Sequence, residues 1–163
     1  MEIAIISDTH IPSRASEIPP AFEQRIRQAD HVIHAGDFDT EGALSNIQAM
    51  ASDLTAVRGN TDPDVGLPRV ATVEWGGVEF VVTHGTGSRR NYEPMIAATV
   101  REHAQRDTAV GVSGHTHQLR DTTYEGVRLL NPGSVTGAAP ATEATMMTAT
   151  AENGSLDVTA HRL

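Results

Sequence analysis

Five short apolar runs in this chain each empty into a polar motif, and that repetition limits the possible folds more than any other feature. Glu2-Ile3-Ala4-Ile5-Ile6-Ser7 leads to Asp8-Thr9-His10, and His31-Val32-Ile33-His34-Ala35 leads to Gly36-Asp37. Leu54-Thr55-Ala56-Val57-Arg58 ends at Gly59-Asn60, Val78 to Thr83 ends at His84-Gly85, and Ala109 to Ser113 ends at Gly114-His115-Thr116-His117. Short branched apolar runs bounded by glycine read as buried strands. Between them, Phe22, Ile26 and Ala29 fall at helical spacing over 21–29, Thr40 is placed to cap a helix over 41–50, and Met95, Ile96, Thr99 and Val100 mark a helix over 92–106. The first half is therefore a strand-helix-strand-helix-strand series.

The second half changes to antiparallel patterning. Val70 to Trp75 and Val78 to Thr83 flank Gly76-Gly77, Leu119 to Tyr124 and Val127 to Leu130 flank Glu125-Gly126, and Ala144 to Ala149 and Leu156 to Ala160 flank Asn153-Gly154. All three are hairpin signatures. No repeat, linker or boundary interrupts the 163 residues, so a single domain over 1–163 is expected. The architecture predicted is a layered α-β-β-α sandwich, an α/β fold with two mixed sheets face to face and helices outside.

Composition narrows the chemistry. Without cysteine there is no disulfide, thiolate site or cysteine nucleophile, so any metal must be held by His, Asp, Glu or Asn. Twenty-one Asp and Glu against twelve basic residues give a net charge of -9, which repels nucleic acid. All twelve basic residues are arginine, a composition that fits a salt-adapted proteome or a GC-rich genome. The start Met1-Glu2-Ile3-Ala4-Ile5-Ile6 lacks the pattern of a signal peptide and no run approaches the ~20 apolar residues of a membrane span, so a cytoplasmic protein with no membrane partner is expected.

In open α/β sheets, ligands gather outside the carboxyl ends of strands, which would bring the five motifs to one edge. Asp8 and Asp37 lie 29 positions apart and Asp37 and Asn60 lie 23 apart, compatible with compact βαβ units of roughly 30 residues. Together the motifs offer two carboxylates, the amide oxygen of Asn60, and the imidazoles of His10, His84, His115 and His117. Hard and borderline donors of this kind suit two divalent cations roughly 3.5–4 Å apart. Two such cations against two aspartates leave a local positive charge that draws anions into an acidic protein.

The order of these motifs, Gly114-His115-Thr116-His117 included, resembles the calcineurin-like metallophosphoesterases, and the length and Asn131-Pro132-Gly133-Ser134 are similar to their compact single-domain phosphodiesterase branch. The resemblance spans Asp8 to Ser134. It implies that Asp8, His10, Asp37 and His117 hold one metal and Asp37, Asn60, His84 and His115 the other, with Asp37 bridging. It also implies hydrolysis by a bridging hydroxide, with Asp37, Asn60 and His84 catalytic and Asn60 touching the phosphate. Manganese is the expected metal, with iron, zinc or nickel as alternatives. Where many members carry a histidine that protonates the leaving group, this chain has Thr61, and Gly85-Thr86-Gly87 supplies no replacement; Asp62 is the nearest candidate.

Arg89 and Arg90, and equally Arg58, could clamp an oxyanion bidentately, against the ordinary alternative of solvated loop arginines. His34 is placed to support Asp37, while His31, His103 and His161 are expected in structural or surface roles. Trp75 and Tyr92 read as packing residues, with Tyr92 able to border the cleft. The function expected is a metal-dependent phosphodiesterase acting on a small-molecule phosphodiester, as a monomer or small homo-oligomer. Its rival is a non-catalytic protein-interaction scaffold similar to the retromer subunit of this fold, whose metal site is eroded. A nuclease would want a basic groove that this composition does not offer.

Overall fold

A computed structural model describes residues 1–163. Two five-stranded mixed sheets form its centre. The first has the order β10 (Ser155–Arg162), β9 (Thr145–Glu152), β1 (Glu2–Ile6), β2 (His31–His34), β3 (Leu54–Ala56). Within it β1, β2 and β3 run parallel, and β9 pairs antiparallel with both β1 and β10. The second has the order β4 (Val70–Trp75), β5 (Val78–Thr83), β6 (Val110–Val112), β8 (Val127–Pro132), β7 (Leu119–Tyr124). Here β5, β6 and β8 are parallel, with antiparallel hairpin partners at both edges.

Alternation along the strands divides the core into three layers. On β1, Ile3 and Ile5 meet Phe80, Val82, Val112 and Leu130 of the facing sheet, while Ala4 and Ile6 point outward. Against that outer face pack Phe22 and Ile26 of α1 (Pro20–Gln28) and Leu44 and Ile47 of α2 (Glu41–Met50). The expected Thr40 cap is present, its hydroxyl accepting the Ala43 N–H at 3.1 Å. The second sheet is covered by α3 (Tyr92–His103), which sets Ile96, Ala97 and Val100 on Val81, Val127 and Leu129. No helix is long and apolar enough to cross a membrane.

Several boundaries differ from the sequence expectation, each for a tertiary reason. α3 stops at His103 rather than Arg106, because the buried Glu79 carboxylate on β5 takes the N–H groups of Gln105 and Arg106 at 2.9–3.1 Å. β3 ends at Ala56 because the Arg58 N–H turns to Pro68 O. β9 and β10 are longer than their alternating runs, since β9 is held on both sides.

The result that matters for function is the shared direction of β1, β2, β3, β5, β6 and β8. Their carboxyl ends emerge at one edge of the sandwich, and β8 delivers Gly133-Ser134 to the same place. There the Ser134 hydroxyl donates to Asp8 O at 2.7 Å.

Candidate metal centre

The loops at this edge are held in a demanding backbone conformation. Asp8, His10, Asp37, Asp39, His115 and His117 all have positive φ, between 45° and 82°. The only other non-glycine residues of that kind, Glu125 and Asn153, sit in hairpin turns. A left-handed non-glycine residue costs of order 1–3 kcal/mol and persists only where its surroundings impose it. Those surroundings are visible. Asp8 N–H donates to Gly36 O at 2.9 Å, His10 N–H to Asp37 O at 3.1 Å, and Gly114 N–H to His84 O at 3.0 Å. Asp62 ties three further amides: Asp37 N–H and Gly59 N–H to Oδ2 at 2.8 Å each, and Asp39 N–H to Oδ1 at 2.9 Å.

Two glycines are fixed by the ligands themselves. A Cβ on Gly59 would lie 2.1 Å from Asp37 Oδ1, and one on Gly114 would lie 2.0 Å from Ser7 Oγ and 2.6 Å from Asp8 Oδ2. Neither contact is physically possible, so the backbone must stay bare for the carboxylates to keep their places.

Each carboxylate is anchored by one oxygen and offers the other. Asp8 Oδ2 accepts the Ser7 hydroxyl at 2.7 Å and the His115 N–H at 3.0 Å, while Oδ1 is buried without a partner. Asp37 Oδ1 accepts the Thr61 N–H at 3.0 Å, and Oδ2 faces His84 Nε2 at 3.1 Å and His10 Nε2 at 3.5 Å. The imidazoles follow the same design. His84 Nδ1–H donates to Ala35 O at 2.7 Å, His117 Nδ1–H to Ala138 O at 2.8 Å, and His10 Nδ1–H to Asp39 Oδ1 at 2.9 Å. With its proton fixed on Nδ1, each ring presents Nε2 inward, the arrangement that orients metal-binding histidines.

The inward atoms form two adjoining groups. In one, Asp8, His10 and His117 converge, with His117 Nε2 3.3 Å and His10 Nε2 3.7 Å from Asp8 Oδ1. In the other, Asp37, His84 and His115 converge, and His115 Nδ1 stands 3.2 Å from Asn60 Oδ1. All seven residues picked out from the sequence therefore meet here. Asp8 Oδ1, His10 Nε2 and His84 Nε2 are buried polar atoms with no hydrogen-bond partner. Leaving such groups unsatisfied costs about 1–3 kcal/mol each. This donor set fits a metal ion, and Asp37 Oδ2 lies within 3.5 Å of a ring nitrogen from each group.

Electrostatics support the same picture. Burial would raise the Asp8 carboxyl, yet the close imidazoles of His10, His117 and His84 hold it well below the carboxylate range. Burial is likewise outweighed at Asp37, which His84 and the Thr61 N–H keep low. Conversely, burial would depress His10 and His84, but Asp8, Asp37 and, at His10, Asp39 lift both above the ordinary histidine value. His115, less buried and beside His84, is lowered by burial and by that neighbour.

The structure also assigns the remaining candidates. Asp62 is no acid for a leaving group: both its oxygens accept backbone N–H groups, which corrects the expectation. His34 supports the loops: Gly36 N–H donates to its Nδ1 at 3.0 Å, so the ring proton lies on Nε2 and is donated to Thr9 Oγ1 at 2.7 Å. Burial holds that ring well below the ordinary value. Tyr92 donates to Gly114 O at 2.5 Å and accepts from Asn131 Nδ2 at 3.2 Å, bracing the His115 loop. Arg89 and Arg90 stand apart from the ligands. They begin a 3-10 turn and line a cavity of about 320 Å³ with Tyr92, Glu93, Thr116 and Arg120. His31 stacks on Trp75 with ring centroids 4.2 Å apart, tying β2 to β4. The residue missed in the sequence is Asp39, which accepts from His10 Nδ1, Thr61 Oγ1 and Ser13 Oγ. Its one visible signal was a carboxylate two places after Gly36-Asp37.

Known proteins resemble this chain in sequence and in fold. A probable metallophosphoesterase from Methanothermobacter thermautotrophicus is 36% identical over 138 residues, spanning 83% of this chain and 78% of its own. Among solved structures, zinc-complexed wild-type Vps29 from Entamoeba histolytica shares the fold with a TM-score of 0.80 at 24% identity, covering 100% of this chain and 98% of its own. A predicted phosphoesterase from Streptococcus pneumoniae does so with a TM-score of 0.67 at 20% identity, covering 98% and 97%. The model of the calcineurin-like phosphoesterase superfamily domain matches residues 1–154, and the chain belongs to that family.

Proposed function

We propose that the chain is a metal-dependent phosphodiesterase acting on small phosphodiesters. The observation that carries this reading is the completeness of the donor set, seven metal-competent side chains of which three present buried, unpartnered atoms to one another. Asp8, His10, Asp37 and His117 would hold one cation and Asp37, Asn60, His84 and His115 the second, manganese being the first choice for a mixed oxygen and nitrogen shell. Bound there, two divalent cations supply water of near-neutral pKa and draw charge from the phosphoryl oxygens. The protein's share is to fix the ligands: Asp39, Ala35 and Ala138 set three ring orientations, and the Thr61 N–H aims Asp37 between the two groups. Asn60, exposed at the rim, is placed to touch a phosphoryl oxygen. No arginine guanidinium hydrogen-bonds any of the seven, which suits the single charge of a diester better than a monoester dianion. Arg89 and Arg90 are left to an outer part of the substrate.

Protein stripped of metal and refilled with manganese, zinc, nickel or magnesium is expected to turn over an aryl phosphodiester faster than the matching monoester. Asp37→Asn is expected to abolish that activity. With no acid positioned for the leaving group, rates across a series of substituted aryl diesters should depend steeply on leaving-group acidity, since an acid contributes about 10²–10⁴-fold only where the departing oxygen needs a proton. A flat series would sink this mechanism. The fold shared with Vps29 keeps a second reading in view, a protein-interaction scaffold. That reading wins if every refilled form is inactive.

A further inference from the structure

A second arginine pair lies on the other flank of the centre. Arg58, next to Gly59-Asn60, and Arg69 line a cavity of about 220 Å³ that reaches His84 and is otherwise bounded by residues such as Thr86, Met95 and Thr99. None of its lining residues is acidic. Arg58 is anchored from behind, its N–H on Pro68 O at 2.8 Å and its Nε–H on Asp62 O at 3.3 Å, whereas Arg69 is exposed and in no ion pair. In a chain of net charge -9, this is a concentrated positive wall beside the candidate metal ligands.

Apart from the candidate metal ligands themselves, the same flank offers no acid. The Nδ1–H groups of His10, His84 and His117 are spent on Asp39, Ala35 and Ala138, both oxygens of Asp62 accept amides, and the Thr61 hydroxyl donates to Asp39 Oδ1 at 2.7 Å. Arginine does not give up its proton in proteins. A leaving oxygen on this side therefore meets positive charge but no acid, a combination wasted on an alkoxide and suited to a group that departs as an anion.

Building on the phosphodiesterase reading, we infer that the substrate carries a second phosphate on its leaving side, so that the bond cut is a phosphoanhydride between two esterified phosphates, with Arg58 and Arg69 holding the departing phosphoryl group. In the reaction, a water oxygen bonds to one phosphorus while the bridging P–O bond breaks, its electron pair staying on the bridging oxygen. Two phosphate monoesters result, and the protons of the water pass to solvent. The leaving monoester, with a second pKa of about 6, is stable as an anion at neutral pH and needs no acid.

Three substrates test this on manganese-loaded protein: bis(p-nitrophenyl) phosphate, a nucleoside 5′-phosphate methyl ester and a dinucleoside 5′,5′-diphosphate. The diphosphate is expected to exceed the methyl ester by at least 10²-fold in kcat/KM. Arg69→Gln should lower the diphosphate rate at least tenfold more than the aryl diester rate, with Arg69→Lys restoring part of the difference. Independently of activity, phosphorus-31 line broadening of inorganic phosphate on metal-stripped protein should show at least fivefold weaker binding in Arg69→Gln. Equal losses on both substrates, or unchanged phosphate binding, would overturn the inference. If no metal form cleaves even the aryl diester, the hydrolase reading fails instead, and the phosphate titration still decides whether the cavity holds an anion.

Discussion

At the scale of single residues, the centre is built from pairs of opposed charges whose balance depends on pH. His10 and His84 are raised by the carboxylates around them, and Asp8 and Asp37 are lowered by the imidazoles, each against the effect of burial. In metal-free protein, the histidine contribution to stability is complete below the unfolded value of about 6.5 and is lost as pH rises through the higher folded values. The carboxylate contribution is present above about 3.9–4 and is lost as pH falls through the lower folded values. The cluster therefore stabilises the metal-free protein most between roughly pH 4 and 6.5. Cations must displace the imidazole protons, so apparent metal affinity should weaken as pH drops below the raised histidine values. Calorimetric titration in buffers of differing ionisation enthalpy should show proton release on binding near neutral pH, and pH-independent binding without release would contradict the ion-paired description. The seven candidate ligands were legible because strand ends set them in order. Asp39 and the true role of Asp62 were not, because these acids act on a candidate ligand's ring and on backbone amides, contacts that only the folded loops create.

At the scale of elements, the hairpins β4-β5 and β7-β8 have the boundaries their alternation and turn residues indicate, apart from the extension of β8 to Pro132. Local periodicity sufficed there because register in a hairpin is set by its own turn. Helix α3 shows the opposite case. Its apolar spacing continues toward Arg106, but Glu79, 26 residues earlier, takes the Gln105 N–H, and the chain turns off the helix. An acid on a neighbouring strand has no signature in the periodicity of the helix it ends. Glu79 is buried, and its oxygens accept from Gln105 and Arg106 only through charge-assisted bonds to main-chain N–H. Glu79→Ala would leave those amides without their acceptor beneath the helix end, at a cost of about 1–3 kcal/mol. Glu79→Gln keeps one carbonyl oxygen and should lose less. Chemical denaturation should rank the three proteins in that order with an unchanged slope; if both variants match the wild type, water serves those amides equally well and the helix end is set by other contacts.

At the scale of the whole molecule, the candidate metal centre sits in a protein whose remaining charge is strongly one-sided. Only Asp8, Asp37, Asp62 and Glu79 among its acids are buried, so the rest of the negative charge lies at the surface. Arginine answers part of it through exposed pairs such as Arg27–Glu23, Arg106–Glu74, Arg128–Asp121 and Arg162–Glu143. Salt acts on these two populations in opposite directions. It weakens the pairs, each worth about 0–1 kcal/mol, and it relieves repulsion among the unpaired carboxylates that make up the net charge of -9. The screening length falls from about 30 Å at 0.01 M to about 8 Å at 0.15 M, a range that removes long-distance repulsion before it touches contacts of 3 Å. The melting temperature followed by circular dichroism is therefore expected to rise between 0.01 and 0.15 M potassium chloride, and a fall over that interval would mean that the pairs outweigh the acid excess. By 1 M the screening length is about 3 Å and ordinary screening is exhausted. A melting temperature that keeps climbing beyond that concentration by more than the same salt raises that of a charge-balanced control protein points to an acidic, lysine-free surface adapted to salt, whereas a plateau assigns the same composition to the coding of arginine in place of lysine.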